Sequence, residues 1–207
     1  MSHASPLRAV VLDWGGVLQR TEDPAPRRRL DALLGLPPGG VERAVFESHL
    51  WRLASVGACS ADRAWEEITR AVGYPGEVRA FVEAFFAGDR VDRRLLELVR
   101  RLRERGLKVG LLSNAPPPRK ADDSPAGRWG MAELFDAQVF SYEVGALKPD
   151  PRPYRAILAA LGVEAAETLF IDDAPANVAG ARAVGMRVHL FRGVEELLRE
   201  LESLLPQ

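Results

Sequence analysis

The chain has 207 residues, 47% of them hydrophobic, and a formal net charge of −1. That is enough apolar material for one large core, or a core with a smaller appended module, and it gives no electrostatic bias toward nucleic acid or an anionic membrane. Cys59 is the single cysteine, which excludes an internal disulfide and a cysteine-built metal cage.

Residues 1–6 read as a loose tail without a basic-plus-apolar leader, and no apolar run reaches the roughly eighteen residues of a bilayer span. A cytoplasmic protein, monomer or homodimer, is expected, with neither nucleic acid nor membrane as partner. Arginine far outnumbers lysine, which occurs only at Lys108, Lys120 and Lys148. These arginines read as charges on helix surfaces.

The first element is a strand over residues 8–13. Val10-Val11-Leu12 is apolar without alternation, as in a parallel strand covered on both faces, and it stops at Asp13. The C-terminal end of such a strand opens into the crevice where open α/β sheets bind ligands. Gly15 and Gly16 then let the backbone turn tightly and approach whatever Asp13 holds. Alone, this could be a carboxylate capping the next segment.

More than a crossover's worth of chain separates this strand from the next, over residues 107–113. The intervening segment shows helical periodicity at 25–34, 41–55, 61–72, 77–87 and 92–105, with no strand pattern among them. Residues 92–105 read as the crossover helix. The others form a helical module over residues 19–88, leaving residues 1–18 and 89–207 as the core. Emerging just after Asp13, the module is expected to sit over the catalytic end of the sheet as a lid. Trp51, Trp65, Phe81, Phe85 and Phe86 fall at helical spacings and read as its core. Ser60 is the expected N-cap of the third helix, with Asp62 in its first turn. Glycines such as Gly57, Gly88 and Gly106 close these helices, as left-handed caps would.

Beyond the second strand lies a Pro-rich loop over residues 116–127. Three more strands follow, at residues 136–141, 168–172 and 187–191, with a helix at 174–184 after the fourth. Strands alternating with helices predict an α/β fold with a doubly wound parallel sheet, Rossmann-like, carrying an inserted all-helical cap.

Each strand end offers a polar group in turn: Asp13, Ser113-Asn114, Lys148, then Asp172-Asp173. Phosphoryl transfer through a carboxylate needs a nucleophile, a divalent cation, donors for the phosphoryl oxygens and a fixed positive charge. Asp13 suits the first part, and Asp13 with Asp172 and Asp173 suits Mg²⁺. Ser113 and Asn114 suit the donors, and Lys148 the point charge. His3, His49 and His189 form no metal cluster by spacing, and only His49, in the module, merits a test for catalysis.

With these residues in place, the chain resembles the haloacid dehalogenase (HAD) superfamily over nearly its whole length. Asp13-Trp14-Gly15-Gly16-Val17-Leu18 is similar to its first motif, Leu112-Ser113-Asn114 to the second, and the stretch from Gly145 through Lys148 to Pro151 to the third. Phe170-Ile171-Asp172-Asp173, continuing to Asn177, is similar to the fourth. The helical insert resembles the family's C1 cap, and the whole chain the branch of epoxide-hydrolase N-domains and glucose-1-phosphate phosphatases. The resemblance implies a Mg²⁺-dependent phosphatase acting on a small phosphorylated metabolite. Asp13 would be the nucleophile, the Gly15 carbonyl and Asp173 would bind the metal, and Asp172 and Asn177 would support it. One departure stands out: most of the family's phosphatases carry an acid/base Asp where this chain has Gly15. Two other readings therefore stay open, a metal-free 2-haloacid dehalogenase and a non-catalytic HAD-like binding protein. A dinucleotide enzyme is disfavoured because no G-x-G-x-x-G turn follows the first strand.

Overall fold

A computed structural model describes residues 6–119 and 132–204. Its central sheet has five parallel strands in the order β5-β4-β1-β6-β7. In chain order these are β1 (Ala9–Leu12), β4 (Lys108–Ser113), β5 (Ala137–Phe140), β6 (Thr168–Asp172) and β7 (Arg187–Leu190). The predicted strands are all present, most of them trimmed by one residue at one or both ends.

The apolar, non-alternating character of β1 has a direct cause: both of its faces are covered. Val10 and Leu12 pack with α6 (Arg93–Glu104) and α10 (Val194–Leu204) through Leu95, Leu98, Leu102 and Leu197. Ala9 and Val11 pack with α8 (Pro151–Leu161) and α9 (Pro175–Ala183) through Tyr154, Ile157 and Ala181. The short α7 (Ser141–Val144) follows β5. No helix among the described residues is long and apolar enough to cross a membrane.

Between β1 and α6 run α1 (Ala25–Leu33), α2 (Gly40–Phe46), α3 (His49–Ser55), α4 (Ala61–Ala71) and α5 (Val78–Phe86). They enclose a separate apolar cluster built on Leu30, Val41, Val45, Trp65, Phe81 and Phe85. Ser60 caps α4 as expected, accepting a hydrogen bond from Arg63 N at 3.2 Å.

Three expectations need correction here. The insert is not purely helical, because β2 (Gln19–Thr21) and β3 (Asp89–Val91) pair antiparallel where the chain leaves and re-enters the core. Both strands are short and mostly polar, so they carry no periodic apolar signal. The helix expected over 41–55 is two helices, split where Ser48 turns extended and accepts a hydrogen bond from Leu50 N at 3.2 Å. Serine at that place competes with the helical backbone for its own donors.

Gly88 differs from the other closing glycines. It has no positive φ, and a side chain is excluded because a Cβ would lie 1.8 Å from the Asp23 carbonyl oxygen. The Gly88 carbonyl in turn accepts from Glu22 N and Asp23 N, both at 3.1 Å. This glycine closes the neck of the insert. The Pro-rich loop is described only as far as Arg119, and its expected continuation lies outside the described residues.

Candidate active site

The sheet register brings the polar residues together. Leu12 is aligned with Leu111 on one side and Ile171 on the other, which sets Asp13 level with Leu112 and Asp172. Asp13 N continues the ladder, donating to Ile171 O at 2.9 Å. Its carboxylate accepts from Trp14 N at 2.7 Å and pairs with Lys148 Nζ at 2.8 Å, both through Oδ1.

Lys148 is 4% exposed and lies beneath the carboxylates. Its ammonium reaches Asp13 Oδ1 at 2.8 Å, Asp172 Oδ2 at 2.7 Å and Leu112 O at 3.0 Å, which engages all three of its protons. The sequence suggested a lysine anchoring phosphate; in the structure its bonds bridge and space two aspartates. The loop that carries it follows Gly145 and contains a cis Lys148–Pro149 peptide. Asn114 holds this loop from β4, its Oδ1 accepting from Lys148 N at 2.9 Å and its Nδ2 donating to Lys148 O at 3.1 Å. The side chain expected to donate to phosphoryl oxygens is thus first a clamp on Lys148. Ser113, 5% exposed, lines the cavity beside it.

Asp172 is fully buried and fully used. Oδ1 accepts from Ala174 N at 2.9 Å and Asn177 Nδ2 at 3.0 Å, and Oδ2 from Lys148 and again from Asn177 at 3.1 Å. Asp173 is exposed, and its carboxylate leans over the turn after Asp13. A Cβ at Gly16, whose φ is +83°, would fall 2.1 Å from Asp173 Oδ2. Gly15 has no such restriction, with a φ outside the left-handed range and open space around its missing side chain.

Asp13, Asp172 and Asp173 each offer a ligand oxygen within 4.8 Å of the others. Three carboxylates face a single lysine, and their energetics show it. Burial pushes the Asp13 carboxyl up to about 6, and the Asp172 charge adds to this against the opposing pull of Lys148. Burial, then the charge of Asp172, also raises Asp173. One lysine does not offset three carboxylates, and hard oxygens carrying that excess negative charge fit a small divalent cation.

A cavity of about 690 Å³ opens above this floor. Its far wall comes from the helical insert and includes Phe46, Trp51, Trp65 and Phe86. The insert is held to the core rim by Ser141 Oγ donating to Ser55 O at 2.6 Å, and by an ion pair between Arg119 and Asp62. Phe81 and Phe85 are fully buried, as expected of core residues, whereas Trp51, Trp65 and Phe86 both pack on that core and face the cavity.

A polar chain missed in the sequence links the two parts. Trp14 Nε1 donates to Gln19 Oε1 at 2.5 Å, and Gln19 Nε2 donates to Asp89 Oδ2 at 2.9 Å. Buried Arg27 donates to both Asp89 oxygens, at 2.9 and 3.1 Å, and to Phe85 O at 3.1 Å. Arg27 sits in an Arg27-Arg28-Arg29 run. Its phase with Leu30, three residues on and also buried, was the one signal that could have singled it out.

Neither of the described histidines lines the cavity. His3 lies outside the described residues, His49 is exposed and away from the cavity lining, and His189 is buried in β7 against Glu200.

A family model described as haloacid dehalogenase-like hydrolase matches residues 7–185. The chain is 32% identical to phosphatase MT3486 of Mycobacterium tuberculosis, over 96% of this chain and 95% of that one. It is 31% identical to the sesquiterpene phosphatase astK of Aspergillus oryzae, over 86% and 87%. Among solved structures, a HAD family enzyme of Bacteroides thetaiotaomicron in complex with magnesium and inorganic phosphate superposes with a TM-score of 0.74. Identity is 20%, and the match covers 93% of this chain and 100% of that one.

Proposed function

The chain belongs to the haloacid dehalogenase-like hydrolases, and on that premise we propose that it hydrolyses a small phosphate monoester through an aspartyl-phosphate on Asp13. The observation that carries this reading is the asymmetry of the Asp13 carboxylate. Oδ1 is held by Trp14 N and Lys148 Nζ, which leaves Oδ2 for bond formation with the carboxylate fixed in one orientation.

In the first half-reaction Asp13 Oδ2 bonds to phosphorus as the ester P–O bond breaks, and the departing alkoxide takes a proton from water. In the second, water adds to phosphorus and the bond from phosphorus to Asp13 Oδ2 breaks. The carboxylate is restored, and the water's protons leave with inorganic phosphate and solvent. Lys148 keeps Asp13 charged between steps, and Asn114 keeps Lys148 in place. Ser113 is positioned to donate to a phosphoryl oxygen.

Mg²⁺ fits this donor set. Asp13, Asp173 and the Gly15 carbonyl would hold it, with Asp172 and Asn177 supporting from behind, since the oxygens of Asp172 are already taken. When bound, the cation offsets charge between carboxylate and phosphate and polarises the phosphoryl oxygens. Paired carboxylates at Asp172-Asp173 disfavour a metal-free haloacid dehalogenase, because they would repel an anionic haloacid.

The helical insert, about residues 19–88, acts as a cap over this site, supported by its position across the strand ends. The cytoplasm remains the proposed location, and a small phosphorylated metabolite the proposed partner. The test is initial rates on a panel of phosphate monoesters with Mg²⁺ and with EDTA, together with trapping of phosphate on the protein. Turnover that EDTA abolishes, with the label on Asp13, is the expected result. Turnover undiminished in Asp13→Asn would refute the assignment.

A further inference from the structure

The cavity is far larger than a phosphoryl group needs, and its two ends differ in chemistry. At about 690 Å³ it falls within the range of roughly 300–1,000 Å³ that encloses drug-sized ligands. Opposite the aspartates stands a continuous aromatic surface. Trp51 meets Phe46 edge-to-face at 5.8 Å and Trp65 at 5.0 Å, and Trp65 meets Phe86 at 5.9 Å. Phe46 is 44% exposed, so this surface extends beyond what the insert's own core requires.

Among the described residues, the charged side chains on the cavity walls are already committed. Arg27 is bound to Asp89 and Glu42 at 2.9 and 2.7 Å, Arg20 to Asp92 at 2.6 Å, and Arg119 to Asp62. A phosphorylated acid or amino acid would need an available cation or anion on the wall for its second charged group. Every wall charge named here has its partner within the protein. Gly15 adds a second, independent constraint. It supplies no carboxyl beside Asp13, and the wall carboxylates Glu42 and Asp89 are engaged by Arg27, so the leaving oxygen receives little help with its proton.

From these observations we infer that the substrate is the phosphate monoester of a bulky hydrophobic phenol or alcohol, its apolar body against Phe46, Trp51, Trp65 and Phe86. This rests on the phosphatase reading and names its substrate class. The apolar body gains affinity by leaving water; a phenol's delocalised oxyanion departs without a protein-bound acid, whereas an alkoxide draws its proton from water.

The test is kcat/KM along phenyl, 4-butylphenyl and 4-octylphenyl phosphates, in which the alkyl tail lengthens while the leaving oxygen keeps nearly the same basicity. Farnesyl monophosphate serves as the isoprenoid arm, and phosphoserine and phosphoglycolate as the charged arm. kcat/KM is expected to rise at least tenfold from phenyl to 4-octylphenyl phosphate. That ratio should fall about tenfold in Trp51→Ala and recover in Trp51→Phe. Whichever of the alkylphenyl and farnesyl arms is faster identifies the hydrophobic source. A flat or falling series, or phosphoserine or phosphoglycolate as the best substrate, would overturn the inference while leaving the phosphatase reading intact. If no ester is hydrolysed, the phosphatase reading fails instead, and binding to Asp13→Asn followed by tryptophan fluorescence decides the wall's role. Octylphenyl phosphate binding at least tenfold tighter than inorganic phosphate would uphold an apolar site, and equal binding would reject it.

Discussion

The floor and the far wall of the cavity are built by opposite means. On the floor, charges balance charges at short range: one lysine between two aspartates, each fixed by backbone or amide donors. On the wall, aromatic edges and faces do the shaping, and the charges sit in closed pairs: Arg27 with Asp89 and Glu42, Arg20 with Asp92, and Arg119 with Asp62. A floor of this kind has few tolerated states, because an unpaired buried charge is costly. An aromatic wall loses affinity in graded steps as area is removed. Changes to the floor should therefore act nearly all-or-none on chemistry, and changes to the wall should act on selectivity and local stability.

The sharpest break is Asp13→Asn, expected to lower kcat by about 10⁴-fold or more with the fold retained; circular dichroism and single-turnover kinetics check both halves. The same variant has a pH signature. The folded state raises the Asp13 carboxyl from 3.8 to about 6, so it binds more protons than the unfolded chain in that window. Stability without divalent cation should then fall as pH rises from about 4 to 6, and denaturant melts should show a shallower decline in Asp13→Asn.

Next in size is Arg27→Leu, which leaves Asp89 buried with only Gln19 and Thr21 as donors. A loss of about 3–5 kcal/mol is expected. Hydrogen exchange should accelerate across α1–α5 and leave β4 and β6 protected. Equal acceleration in both would mean that floor and wall open as one unit, coupled through Trp14 and Gln19.

Gly15→Asp probes the floor by addition. The backbone there accepts a side chain and nothing crowds it, so turnover of alkyl phosphates should rise by about 10²-fold, and by less for esters with good leaving groups. Rates unchanged for both would mean that another group already supplies the proton. The smallest effect belongs to the insert's local structure. Ser60→Ala removes the cap of α4 and should cost about 1 kcal/mol in thermal or denaturant unfolding, with the floor's chemistry unaltered.

How far each region was legible follows from the same contrast. Asp13, Ser113, Lys148 and Asp172-Asp173 were readable because each interrupts or follows an apolar strand, and a parallel sheet collects strand ends at one edge. Gly15 was readable as a departure for the same reason. The aromatic spacing in the insert marked a core, but periodicity does not say which rings end half inside that core and half over a cavity. Trp51 and Phe86 do both. The ribbon of β2 and β3 left no trace, because Gln19-Arg20-Thr21 pairs with Asp89-Arg90-Val91 only once the insert has folded back on itself.

By itself the sequence determined the strand order along the chain, the helical insert, and the charged groups available for phosphoryl chemistry, since these depend on local periodicity and on where apolar runs end. Only the tertiary structure decided that Lys148 spends its protons on Asp13 and Asp172, that Asn114 clamps the lysine's loop, and that Arg27, alone in its arginine run, is buried against Asp89. Those outcomes depend on hydrogen-bond partners tens of residues away. A donor's role is set by the acceptors that folding brings within about 3 Å.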